Sequence, residues 1–176
     1  MTVTLHRHST LTPAARRDLL TAYADVRSPL LHLPNYSVTA FTERLERHAA
    51  EPGFTLVLGR HDGEPVGYAY ATSVGPGDPF WERLADPLPE GFTAAPALAL
   101  REIGVRTPWR GTGTARRIHD ALLAARPEGR TVLMVNPLAG EGRVRRRYED
   151  WGYRAVNRQA ATAHSPELTV MIRPTR

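Results

Sequence analysis

The sequence predicts a mixed α+β fold, a sheet with helices on both faces, and three features carry that prediction. An apolar run, Ala97 to Val105, passes through a short turn into an amphipathic stretch reaching Ala125, the pattern of a strand followed by a helix. Two strand-like runs, Phe54 to Gly59 and Pro65 to Ser73, flank His61-Asp62-Gly63, the chemistry of a tight antiparallel turn. Two further runs, Tyr153 to Ala160 and Leu168 to Ile172, read as a closing hairpin.

The other elements fall between these. Val3 to His8 alternates as a short strand, and Thr12-Pro13 supplies an N-cap with proline at the first helical position. The helix that starts there is expected to bury Leu19, Leu20, Tyr23 and Val26. Ser28 to Tyr36 is broken by prolines yet apolar, unlike a solvated loop, and is expected to line a pocket. Phe41 and Leu45 mark a second helix that ends before Gly53. Gly75 to Ala95 carries four prolines, no periodic strand and one helical turn around Phe80 to Leu84. Connections longer than about 12–15 residues are usually functional or disordered, and Phe80, Trp81 and Leu88 favour a folded flap. The helix of the central stretch presents Ala115, Ile118, Leu122 and Ala125 on one face. Thr131 to Val135 is a buried strand, Asn136 to Glu141 a loop, and Arg143 to Trp151 a helix. The order is β-α-α-β-β-β-α-β-α-β-β.

Composition narrows the function classes. With 176 residues, 41% of them hydrophobic, the chain suits one domain spanning residues 1–176. No cysteine is present, which excludes disulfides, thiolate metal sites and cysteine nucleophiles. His6 and His8 share a strand face and the other histidines are scattered, so no metal is expected. No serine sits in a G-x-S-x-G elbow. The apolar runs are too short to span a bilayer and the first ten residues lack the apolar stretch of a signal peptide, so a cytoplasmic protein without a membrane partner is expected. The net charge of +5 is carried by arginine alone, with no lysine. Its densest run, Arg143 to Arg147, has no interleaved aromatics, and no nucleic-acid partner is expected. A homodimer is left open.

Between the central strand and its helix the chain reads Arg110-Gly111-Thr112-Gly113-Thr114-Ala115. A helix N-terminus presents amides without intrahelical partners and a partial positive charge, so it holds anions. The glycines let the backbone approach oxygens closely, and Arg110 can add a charge-assisted contact. Neither the dinucleotide fingerprint nor the P-loop pattern is present.

This segment resembles motif A of the GNAT acyltransferases, whose consensus Q/R-x-x-G-x-G/A matches Arg110, Gly113 and Ala115 in register. The element order agrees with that family along nearly the whole chain. The resemblance implies a mixed, mostly antiparallel sheet splayed at an acyl-CoA site. It also implies acetyl-CoA as co-substrate and direct attack, in a ternary complex, by the amine of a small molecule or peptide. Carried over, the backbone of Ile103 and Val105 pairs with the pantetheine arm, and Arg110, Gly111, Thr112, Gly113, Thr114 and Ala115 hold the diphosphate. Gly104 is either a bulge or a packing glycine.

An alkylamine has a pKa of about 10.4, so some group must take a proton. Glu102, three residues before Val105 where many family members place a glutamate, is the implied base. Alternation puts it on the face of Leu98 and Leu100, opposite Ile103 and Val105, either half-buried or exposed near a strand edge. Tyr148, four residues before Gly152, fits the Y-x-x-x-G-F/Y signature and is the implied acid for the leaving thiolate. Trp151 and Tyr153 read as core. The family's N-x-x-A is absent, since Glu141 stands seven residues before the tyrosine and Asn136 lies further back. Asp78, Glu82, Asp86, Glu90 and Glu102 outnumber Arg83 and Arg101 between residues 78 and 102. That bias points to a cationic acceptor whose apolar part contacts Phe80 and Trp81. The alternative is a non-catalytic acyl-CoA sensor that keeps motif A without turnover.

Overall fold

The computed structural model describes residues 2–163 and 165–176. Its strands are β1 (Thr4–His8), β2 (Thr55–His61), β3 (Glu64–Val74), β4 (Ala97–Val105), β5 (Arg130–Val135), β6 (Arg154–Gln159) and β7 (Leu168–Pro174). They form a mixed, mostly antiparallel sheet, as the family resemblance implies, in the order β1-β2-β3-β4-β5-β7-β6. The parallel pair joins β4 to β5 at Leu98 with Thr131 and Ala99 with Val132, in the first half of β4. The helices are α1 (Pro13–Val26), α2 (Val38–Ala49), α3 (Pro79–Glu82), α4 (Thr114–Leu123) and α5 (Arg143–Asp150). None is long and apolar enough to cross a membrane. The chain divides into two compact units, Met1–Thr72 with Leu100–Ala125, and Ser73–Ala99 with Arg126–Arg176.

In the first unit the Thr12 hydroxyl accepts the Ala15 amide at 3.2 Å with Pro13 in the first turn, so α1 starts where the sequence places it. Tyr23 stacks on Phe41 with ring centroids 3.6 Å apart, joining α1 to α2. Leu19 and Leu45 complete that layer over Leu56, Leu58, Tyr68 and Tyr70 of the sheet. Leu20 and Val26 are only partly buried at its rim. Asp62 and Gly63 both have positive φ (49° and 83°), the backbone of a type I′ hairpin turn.

On the opposite face α4 packs Ile118 against the strands. A Cβ at Gly67 would come within 2.7 Å of Val105 and 2.9 Å of Ile118, so only glycine lets β3 pass beneath them. The buried residues of α4 are Thr114, Ile118, His119, Leu122 and Leu123. Ala125, expected on that stripe, is instead exposed with φ 58°, because the helix ends at Leu123 and the chain turns away. The last turn of α4 holds no basic residue. Arg7 of β1 supplies one, donating at 2.8 Å to the carbonyls of both Ala121 and Ala124.

In the second unit the flap is folded. Phe80 and Trp81 are buried with Val74, Ala97, Ala99, Val132 and Ile172, and the Trp81 indole donates to Gly75 O at 2.9 Å. This corrects the expectation that they face an acceptor: they are core. Asp78 caps α3 by accepting from Phe80 N at 2.8 Å, and Asp86 lies 3.6 Å from Arg158. Local structure therefore absorbs part of the acidic bias read from the sequence.

A buried polar cluster also belongs to this unit. Arg126 donates to both carboxylate oxygens of Glu128, at 3.0 and 2.6 Å, and Ser73 donates to Glu128. The Glu128 side chain is 3% exposed. Burial alone would raise its pKa, but the hydrogen bonds from Arg126 and Ser73 outweigh burial and hold it below the usual range. A carboxyl depressed in the fold stabilises above its unfolded value, about 4.3, and loses that contribution as pH falls through the folded value. Glu128→Gln takes the carboxylate charge from a buried guanidinium, which costs up to about 3–5 kcal/mol, or on the order of 10 °C in melting temperature for a chain this size. Melting curves from pH 7 downward are expected to show a gap between the two proteins at neutral pH that narrows only as pH falls below the unfolded carboxyl value. A constant gap would mean that the charge is not what stabilises.

Candidate active site

Gly113, with φ 82°, is the N-cap of α4 and offers no side-chain acceptor, so the first-turn amides of the helix are uncapped. Gly111 has φ 76°, and an ideal Cβ at either glycine meets nothing within 4 Å. The backbone thus demands glycine twice, and the space in front of it is open. Arg110 through Gly113 are exposed. Thr114 is buried, and the Thr112 hydroxyl sits 2.8 Å from both Trp109 O and the Thr114 hydroxyl. Both threonine side chains therefore brace the turn, leaving backbone amides as their contribution toward a ligand. Trp109, packed on His61 at 4.9 Å, holds the turn from within.

Upstream, Val105 faces α4, as alternation requires. Gly104 faces the other way, where an added Cβ would lie 2.9 Å from Val26 and 3.0 Å from the Tyr68 hydroxyl. It is a glycine of close approach. Glu102 shares that side. Its side chain is 14% exposed and forms an ion pair with Arg27, 29% exposed, at the C-terminal end of α1. Of the two sequence alternatives the half-buried one holds. Arg101, the preceding residue, donates to Glu51, just past α2, at 2.5 Å and to Thr72 at 2.9 Å. Arg101 thus reaches Glu51 and Thr72 while Glu102 reaches Arg27, and Glu102 lies with Gly104 opposite Val105, the side to which alternation assigns it.

Around Glu102 the groups are aromatic and polar. The Tyr68 hydroxyl and the Arg27 Nε are buried without hydrogen-bond partners. Burial, followed by the Glu102 charge, raises the Tyr68, Tyr70 and Tyr23 hydroxyls, so these tyrosines stay neutral. The Glu102 charge in turn raises the Arg27 guanidinium, so that group stays protonated. The arrangement can hold a polar group beside a carboxylate and can accept a proton there. Sequence reasoning missed Arg27 and Tyr68, although Arg27 stands immediately before the apolar Ser28–Tyr36 segment that was read as pocket-lining.

In the second unit Tyr148, on α5, is partly buried and meets Trp151 and Tyr153 edge-on at 5.8 and 5.6 Å. Trp151 and Tyr153 are core, as expected. The Asn136 side chain accepts the Leu138 amide at 2.9 Å and so closes its own turn. No group of three or more His, Cys, Asp or Glu that could hold a metal occurs among the described residues.

The sequence model of the Acetyltransferase (GNAT) family matches residues 17–153. Among solved structures, an acetyltransferase of the GNAT family from Staphylococcus aureus Mu50 is 12% identical with a TM-score of 0.66, and 99% of this chain and 100% of that one are covered. A ribosomal-protein-alanine N-acetyltransferase from Brucella melitensis is 18% identical with a TM-score of 0.65, covering 97% and 99%. An aminoglycoside 6'-N-acetyltransferase complexed with coenzyme A is 14% identical with a TM-score of 0.62, covering 98% and 97%. At these identities the likeness is one of fold. No curated protein matches the chain.

Proposed function

The chain belongs to the GNAT acetyltransferase family, and on that premise we propose that it transfers an acetyl group from acetyl-CoA to the amine of a small molecule or peptide, by direct attack in a ternary complex. The observation that carries this reading is the uncapped N-terminus of α4 behind two open, left-handed glycines and an exposed Arg110. Backbone amides of Gly111 through Ala115 and the Arg110 guanidinium bind the diphosphate. The Ile103 and Val105 backbone takes the pantetheine arm, so that both reactants are held for attack. Acetyl-CoA supplies the acyl group as a thioester. As the amine nitrogen bonds to the carbonyl carbon and the carbon–sulfur bond breaks, Glu102 accepts the amine proton, directly or through water, and Tyr148 protonates the departing thiolate. Tyr148 is assigned on the family signature. The relatives include enzymes named for an aminoglycoside and for a ribosomal protein, which supports both the small-molecule and the peptide form of the acceptor.

Release of free thiol from acetyl-CoA over a panel of primary amines tests the reading. Thiol is expected only when an amine is present. Tyr148→Phe is expected to release it about 100-fold more slowly, while acetyl-CoA raises the melting temperature of both proteins equally. Stabilisation by acetyl-CoA without amine-dependent thiol would convert the reading to a sensor, and an undiminished rate in Tyr148→Phe would move the acid role to another group or to solvent.

A further inference from the structure

Arg27 lies at the junction of α1 and the Ser28–Leu30 turn. Its guanidinium pairs with Glu102 on one side and lies 5.8 Å over the Tyr36 ring on the other. Tyr36 is itself tied back to α1, since its carbonyl accepts the Tyr23 hydroxyl at 3.0 Å. One side chain therefore connects the carboxylate on β4 with both ends of the Ser28–Tyr36 segment. Most buried side-chain polar atoms are hydrogen-bonded, and one that is not calls for an explanation. Here Arg27 Nε and the Tyr68 hydroxyl are both buried and unfilled, which leaves capacity for an incoming polar group or water next to Glu102.

We propose that Arg27 is a positioning residue for Glu102, holding the carboxylate oriented toward the acceptor amine and coupling that orientation to the Ser28–Tyr36 segment. This rests on the acetyl-transfer reading. The charged and titratable groups around Glu102 are Arg27, the C-cap of α1, Tyr23 from α1, and Tyr68 and Tyr70 from β3; Arg44 of α2 acts on Tyr23 and Tyr70, and Arg101, beside Glu102 on β4, pairs with Glu51. Of these, Arg27 has its ion pair with Glu102. The tyrosines remain neutral across the working range, since their hydroxyls are raised by burial and by the Glu102 charge.

The pH dependence of the effect separates positioning from general structural damage. An alkylamine of pKa about 10.4 becomes increasingly neutral in solution as pH rises, so the need for an oriented base falls. Damage to the fold would slow the enzyme at every pH. The kcat and KM of Arg27→Met, Arg27→Gln and Arg27→Lys are measured at pH 7 and pH 9.5, with acetyl-CoA saturating and an amine that the unaltered protein acetylates. Misplacement of a catalytic group by about 1 Å costs up to about 100-fold, so Met and Gln are expected to lose between tenfold and a hundredfold in kcat at pH 7. Most of that loss is expected to be recovered at pH 9.5, and Lys, which keeps the charge, should retain most of the rate. The acetyl-CoA-induced rise in melting temperature should be unchanged in all three. An unchanged kcat, or a loss equal at both pH values and equal in Lys, overturns the proposal. If Met does not melt cooperatively, Gln and Lys decide. Absence of turnover by the unaltered chain would remove the transfer reading and the Arg27 role with it, and is distinct from active protein indifferent to Arg27.

Discussion

Glu102→Gln is expected to lower kcat by about 10²- to 10⁴-fold at pH 7, the range general-base groups supply. Glutamine keeps the length and one acceptor oxygen but cannot take a proton from an ammonium. The deficit is expected to narrow toward pH 9.5, as more of the acceptor arrives neutral. The same change removes Arg27's ionic partner. With side chains 29% and 14% exposed, losing one member of a largely buried pair costs up to about 3–5 kcal/mol, so the melting temperature should fall. The two effects separate cleanly, because a fall in melting temperature without a pH-dependent loss of kcat would make Glu102 a structural partner of Arg27 and nothing more. Steady-state rates at several pH values, read beside melting curves, decide between them.

Much of this fold was legible because its signals are local. Thr12-Pro13 and Asp62-Gly63 act within a few residues, and the structure finds a cap and a type I′ turn there. The glycine turn before α4 was readable for the same reason, since positive φ at Gly111 and Gly113 is a property of the turn itself. What was not legible depends on distant partners. Arg27 and Glu102 lie 75 residues apart, and nothing near either of them in sequence announces the other. Alternation gave the side of Glu102, opposite Val105, but not its partner or those of Arg101, because Arg27, Glu51 and Thr72 all come from other elements. Phe80 and Trp81 were misread for a related reason. Aromatic residues in a long connection suit a binding surface or a core equally well, and only the apolar cluster around Val132 and Ile172 distinguishes them.

The cradle itself is open to a direct test at Gly113. Replacing it with valine puts a β-branched side chain into left-handed backbone, which costs about 1–2 kcal/mol. No protein atom lies within 4 Å of the new Cβ, so the fold should survive. The branched side chain would project into the open space in front of the α4 amides, where the diphosphate must come close. A ligand at about 100 times its dissociation constant stabilises a native protein by about 2.7 kcal/mol, some 5–11 °C for a chain this size. That shift with CoA or acetyl-CoA is expected in the unaltered protein and lost in Gly113→Val. Gly91→Val controls for strain, because Gly91 also has positive φ, 72°, and open space around its Cβ, but lies in the flap. It should lower the melting temperature of the free protein comparably and keep the full shift. If Gly113→Val were stabilised by CoA as strongly as Gly91→Val, the diphosphate would not sit at the α4 N-terminus.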